Sequence, residues 1–203
     1  MPGNPKPVVD VAVVVADASP ILTLQRIGRL DVLSCFNVPI HIVDQVYWEV
    51  TRPENDPTGA VATALRRLGN QINVIETLTG LGFQAKRAKE PATPSGNVGE
   101  QAVNEYAVML ARSGGPRFVP LVFYEDPDVE QLPVAKLVNV HMLNTTAFLL
   151  ALADANVLPD GRELVERINA LRKTPMRPID APARTKRLRS SWIRRSKKDD
   201  RPA

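Results

Sequence analysis

The run Val11-Ala12-Val13-Val14-Val15-Ala16 stops abruptly at Asp17, and Ala18-Ser19-Pro20 follows. Small and β-branched residues that are apolar at every position fit neither a half-exposed strand nor an amphipathic helix. They predict a central strand buried on both faces, as in a parallel sheet. Pro20 suits the first turn of a helix, so the segment reads as strand, turn and helix. Open parallel sheets collect ligands outside the carboxyl ends of such strands, which is where Asp17 stands. Asp17 also fits an ordinary helix N-cap, so the rest of the chain must decide between the two roles.

Apolar residues from Ile21 to Leu33 recur at helical spacing over 20–36, and Gly28 allows this stretch to split into two short helices. A short strand is predicted at 39–43 and a helix at 44–51 ended by Pro53, followed by a helix at 58–68 and a strand at 72–75. Residues 77–96, with three glycines, two prolines and Lys86, Arg87 and Lys89, read as an inserted long basic loop. A helix over 98–112 stops at Gly114-Gly115, and a strand over 118–124 runs into Glu125-Asp126-Pro127-Asp128. A last strand is expected at 137–142, with helices at 145–155 and 161–173. Strands alternating with helices predict an α/β fold around a mainly parallel sheet of about five strands.

The 203 residues fit one domain over 8–175, with an extension over 176–203. That extension holds ten Lys/Arg against three Asp/Glu, leaving 16 basic and 19 acidic residues before it. The division predicts a basic, flexible tail suited to a polyanion such as RNA. The single Cys35 excludes an intrachain disulfide, and a buried, inert thiol in the reducing cytoplasm is expected. Neither a signal peptide nor a membrane-spanning run is seen.

Several acids fall at the ends of predicted elements: Asp17, Glu49 on the helix after the second strand, Glu100 opening the helix after the basic loop, and Asp126 with Asp128 after the fourth strand. At about 100° per residue, Glu49 and Glu100 flank the apolar faces of their helices and can lean over the sheet's end. Carboxylates gathered there raise one another's pKa unless a cation neutralises them. Hard oxygen donors suit Mg²⁺ or Mn²⁺, which would give phosphodiester hydrolysis.

Asp17-Ala18-Ser19-Pro20-Ile21-Leu22, followed by Ile27-Gly28-Arg29-Leu30-Asp31-Val32-Leu33, resembles the opening of PIN-domain proteins. Glu49-Val50, Gly99-Glu100-Gln101-Ala102 and Leu143-Asn144-Thr145-Thr146 are similar to later motifs of the VapC-like toxin branch, and the likeness spans residues 10–172. It implies a three-layer α/β/α fold, metal-dependent RNA cleavage, a homodimer and a cognate antitoxin. Asp17, Glu49, Glu100 and Asp126 would then be catalytic, with Asp17, Glu100 and Asp126 on the metal. Asp128, Ser19, Asn97 and Thr145 are possible additions, and Lys86, Arg87 and Lys89 would guide RNA. The chain departs from the branch at Asn97, where aspartate is usual, and at Asn144, where glycine is usual. The usual adjacent aspartates after the fourth strand are replaced by Glu125-Asp126-Pro127-Asp128, and no arginine follows before Arg162. These departures suggest, as the alternative, a catalytically degenerate module that binds RNA or a protein.

Other functions of a strand-end aspartate fit less well. A receiver domain would carry its acceptor aspartate alone, with a lysine after the fifth strand. A HAD-type phosphatase needs a second aspartate where Ser19 stands, and dinucleotide binding needs a glycine-rich turn after the first strand. Asn97-Val98-Gly99-Glu100 also matches a capping box, a purely structural role for both polar residues. His41 and His141 lack metal-ligand spacing, and Tyr47-Trp48 reads as packing.

Overall fold

The computed structural model describes residues 11–115, 118–126, 131–172, 176–181 and 192–193. Val11–Ala16 forms β1, whose last four residues are at most 2% exposed. Such a strand must be covered on both faces, and it lies at the interior of a six-stranded sheet ordered β3-β2-β1-β4-β5-β6. Its neighbours are β2 (Ile40–Val43) and β4 (Val119–Tyr124), β3 (Ile72–Ile75) lies beyond β2, and β5 (His141–Asn144) beyond β4. All these pairings are parallel. β6 (Asp180–Ala181) pairs antiparallel with β5.

The helices are α1 (Ala18–Arg26), α2 (Asp44–Thr51), α3 (Ala60–Arg67), α4 (Leu78–Lys89), α5 (Val98–Ser113), α6 (Thr145–Asp154) and α7 (Gly161–Leu171). They complete the expected α/β fold. The stretch after Asp17 does split at Gly28, which has φ +69°, into α1 and a 3-10 segment over Leu30–Cys35. Among the described residues no helix is long and apolar enough to cross a membrane.

Four expectations are corrected. The basic loop 77–96 is a helix, α4, over most of its length. Thr77 caps it by accepting from the Gly80 N–H at 2.9 Å, and Glu105 of α5 accepts from the Leu78 and Thr79 N–H groups, both at 3.0 Å. Phe83 anchors it, almost buried against Trp48. The fifth strand starts later than expected, because Val138 is exposed while His141 and Asn144 are drawn inside by polar partners. Residues 180–181 and 192–193, expected in a free tail, are attached: β6 extends the sheet, and Trp192 is 2% exposed in the core. Cys35, expected to be buried, is only half-buried.

The core centres on an aromatic cluster. Phe36 stacks on Phe148 with centroids 4.4 Å apart, and Phe123 of β4 meets both rings edge-on at 5.4 and 5.2 Å. Trp192 closes the cluster at 5.9 Å from Phe36 and 5.7 Å from Phe148. The Asn37 N–H donating to the Trp192 carbonyl at 2.8 Å fixes this segment to the body.

Candidate active site

The chain builds β1, β2 and β3 outward on one side and then crosses back to place β4 on the other side of β1. The reversal opens a crevice between the carboxyl ends of β1 and β4, where α/β proteins bind ligands. Asp17 leaves β1 there, with its N–H donating to the Phe123 carbonyl at 2.9 Å. Asp126 lies two residues beyond the end of β4 and is half-buried.

The Asp17 side chain is only 3% exposed. Burial pushes its pKa up, hydrogen bonds from the Ala18 and Ser19 N–H groups and from the Ser19 hydroxyl pull partly back, and the Asp126 charge adds to the rise. The Ser19 N–H contact is long, at 3.5 Å, so Asp17 caps α1 only weakly while its charge stays costly.

Glu49 reaches the same mouth from α2. Gln45 donates to its Oε1 at 3.1 Å, and a Cβ at residue 99 would stand 2.7 Å from its Oε2. Glycine at 99 therefore lets this carboxylate close on the first turn of α5. Burial raises its proton affinity; the Gln45 bond opposes that, the Asp17 charge reinforces it, and Arg52 and the Gly99 N–H oppose it again. Asp17 is thus electrically coupled to Asp126 on one side and to Glu49 on the other. Glu100 stands half-buried beside Gly99 in the first turn of α5.

The expected capping box is not formed. Asn97 is exposed and makes no side-chain cap bond. Nor do Asp17, Glu100 and Asp126 converge to ligand spacing: among the described residues, no three His, Cys, Asp or Glu side chains form a group able to hold a metal ion. Burial and like charge work against packing three carboxylates into contact. The donor chemistry nevertheless fits a hard divalent cation. Mg²⁺ commonly binds through one or two carboxylates and completes its shell with water and substrate phosphate, and Asp17 with Asp126 supplies that number.

Two acids at strand ends escaped sequence reasoning. Glu125 follows β4 directly, is buried, accepts from the Thr23 hydroxyl at 2.5 Å, and has the Arg172 guanidinium 2.6 Å away but out of line for a hydrogen bond. This ion pair ties the β4 end to the chain beyond α7. Asp44 follows β2 but turns toward α4: it accepts from the Thr77 hydroxyl at 2.9 Å, and its carboxylate fills the space that a Cβ at residue 80 would need. Strand-end position was the available sign for both; their distant partners carried none.

At the end of β5, Asn144 is fully buried. Its Oδ1 accepts from Ala147 N–H at 2.9 Å and Ile179 N–H at 3.1 Å, and its Nδ2 donates to the Arg177 carbonyl at 2.8 Å. The hydroxyls of Thr145 and Thr146 are buried beside it and have no hydrogen-bond partner among the described residues. Asp128 lies outside the described residues. Lys86 and Lys89 project from α4 into solvent, whereas Arg87 lies over the Trp48 ring at 4.2 Å. His41 pairs with the Tyr106 hydroxyl at 2.7 Å and His141 with Asp180 at 2.5 Å.

No family model and no curated protein matches this chain. Among solved structures it is similar to one described as the structure of the T. brucei RRP44 PIN domain. The two share 17% identity, over 78% of this chain and 87% of that one, with a TM-score of 0.42.

Proposed function

We propose that this protein is a PIN-type ribonuclease that hydrolyses RNA phosphodiester bonds with Mg²⁺ or Mn²⁺. The observation that carries the reading is the buried Asp17 at the sheet's switch point, coupled to Asp126 across the crevice and to Glu49 from α2. A buried carboxylate with two like charges around it is poorly suited to a structural role and well suited to a cation.

Asp17 and Asp126 would hold the ion, with Glu100 adding negative charge from the start of α5. Once bound, such an ion would polarise a phosphate oxygen and lower the pKa of water enough to make hydroxide available as a nucleophile at neutral pH. Glu49, held by Gln45 and raised in proton affinity by burial, is suited to accept a proton from an attacking water. Ser19 steadies Asp17 through its N–H and hydroxyl. Cations on α4 draw the RNA backbone to an otherwise negative mouth. In the cell the protein would be the cytoplasmic toxin of a toxin–antitoxin pair, acting as a homodimer restrained by its antitoxin.

A second reading, a silent module that binds RNA or a protein, is favoured by Asn97 and by the absence of a three-carboxylate group among the described residues. The two are separated by incubating the protein with single-stranded RNA in Mn²⁺ or in chelator, beside Asp17→Asn. Cleavage that needs the metal and Asp17 is expected. Cleavage surviving both chelation and substitution overturns the mechanism, and RNA binding without cleavage selects the silent module.

A further inference from the structure

Trp48, half-buried on α2, carries two guanidinium groups. The Arg52 Cζ lies 5.0 Å from its ring centroid and the Arg87 Cζ 4.2 Å, while Phe83 packs edge-to-face with it, ring centroids 6.1 Å apart. Two like charges on one ring repel each other. A single arginine would give a packing role its full cation–π contact, so a second one calls for another explanation. We propose that Arg87 and Arg52, braced on Trp48, form a phosphate-binding subsite for the backbone of single-stranded RNA. This rests on the ribonuclease reading and assigns the substrate contact at its mouth.

A guanidinium lying on an aromatic face spends its π surface on the ring and leaves its in-plane N–H fork for a ligand. That fork matches two phosphate oxygens, and pre-positioning it lowers the entropy lost on binding. The Arg52 Nε is buried and has no hydrogen-bond partner. Among the described residues, Arg87, Lys86 and Lys89 make no ion pair that would neutralise them. Arg52 also acts electrostatically on Glu49, so the cationic platform and the acidic mouth adjoin. A polyanion approaching Asp17, Glu49 and Asp126 meets repulsion, and cations at the rim are what make its approach favourable. An acidic protein segment would satisfy the same forks. The position beside Glu49, a carboxylate of the proposed phosphodiester site, favours the nucleic acid.

The test measures binding of a fluorescent oligouridylate to the full chain in chelator, where cleavage plays no part. Wild-type protein is expected to bind with an affinity that falls steeply with salt. Arg87→Ala, with unchanged melting temperature, should weaken binding about tenfold, and Arg87→Lys should recover only a small part, since charge without the planar fork is not enough. Should these variants fail to fold, wild-type fluorescence gives a second readout. The chain has two tryptophans, and Trp192 is buried, so oligouridylate should quench Trp48 in a salt-reversible way that Trp48→Phe removes. Wild-type affinity in both Arg87 variants, or absence of quenching, overturns the subsite. Preference for polyglutamate over oligouridylate also overturns it, giving the platform to an acidic protein. Because binding is read without metal, a protein that binds here but never cleaves refutes the ribonuclease reading and not the subsite.

Discussion

Asp17, under the proposed reading, would serve function at the expense of stability. A buried carboxylate that takes a long cap bond and faces Asp126 has its pKa lifted by burial and by that neighbouring charge. In the unfolded chain it would titrate near the ordinary value of about 4. The folded state therefore holds the proton more tightly, and folding stability falls as pH rises from that value through the lifted one. Asp17→Asn removes the charge while keeping the shape. In chelator at pH 7 it should raise stability by about 1 kcal/mol, a gain typical of relieving a strained functional site, while abolishing cleavage. Thermal melts between pH 3 and 8 should show the advantage shrinking toward acid pH. A variant less stable than wild type at pH 7 would mean that the capping role dominates.

Among the helices, α4 is the one sequence reasoning missed, and its causes are tertiary. Gly80, Gly82 and a cluster of cations look like a loop because intrinsic propensity is poor there. The helix forms because Thr77 caps it and because Glu105, from a different helix, accepts from the Leu78 and Thr79 N–H groups and from the Thr79 hydroxyl at 2.6 Å. Burial alone would push the Glu105 pKa up, but these donors outweigh it and hold it below the ordinary glutamate value. A lowered pKa stabilises the fold above the unfolded-state value, and that contribution is lost as pH falls through the lowered one. Glu105→Gln should thus cost about 0.5–1 kcal/mol near neutral pH, kept small by solvent exposure, with the difference closing below pH 4. Urea midpoints at pH 7 and pH 3.5 test this. By contrast, β1 to β4, α2 and α5 were legible, since their apolar patterns are local and strong. β5 was misplaced because His141 and Asn144 look like strand-ending polar residues until Asp180 and the 177–179 segment supply their partners. The positions of Asp17 after β1 and of Glu49 on α2 follow from pattern alone, whereas the pairing of Glu125 depended on Thr23 and Arg172, which nothing in its neighbourhood announces.

For the whole molecule, the C-terminal chain ties the site to the core. Arg172 pairs with Glu125, Arg177 and Ile179 hydrogen-bond the Asn144 side chain at the carboxyl end of β5, and Asp180–Ala181 form β6. Trp192 lies in the core, and Ile193 forms a bridge with Phe36. Trp192 packs on Phe36 and Phe148, which in turn hold Phe123, and Phe123 is three residues before Asp126. The strand that leads to Asp126 is therefore supported by a ring contributed from residue 192. Trp192→Ala should leave a large hole in a close-packed cluster and cost about 3 kcal/mol or more, read as a lower urea midpoint with an unchanged m-value. A surface tail, which the basic composition of 176–203 suggested, would lose no more than about 0.5 kcal/mol on the same substitution. A loss near 3 kcal/mol would make the extension part of the domain, and a loss near zero would return it to the role of a charged appendage.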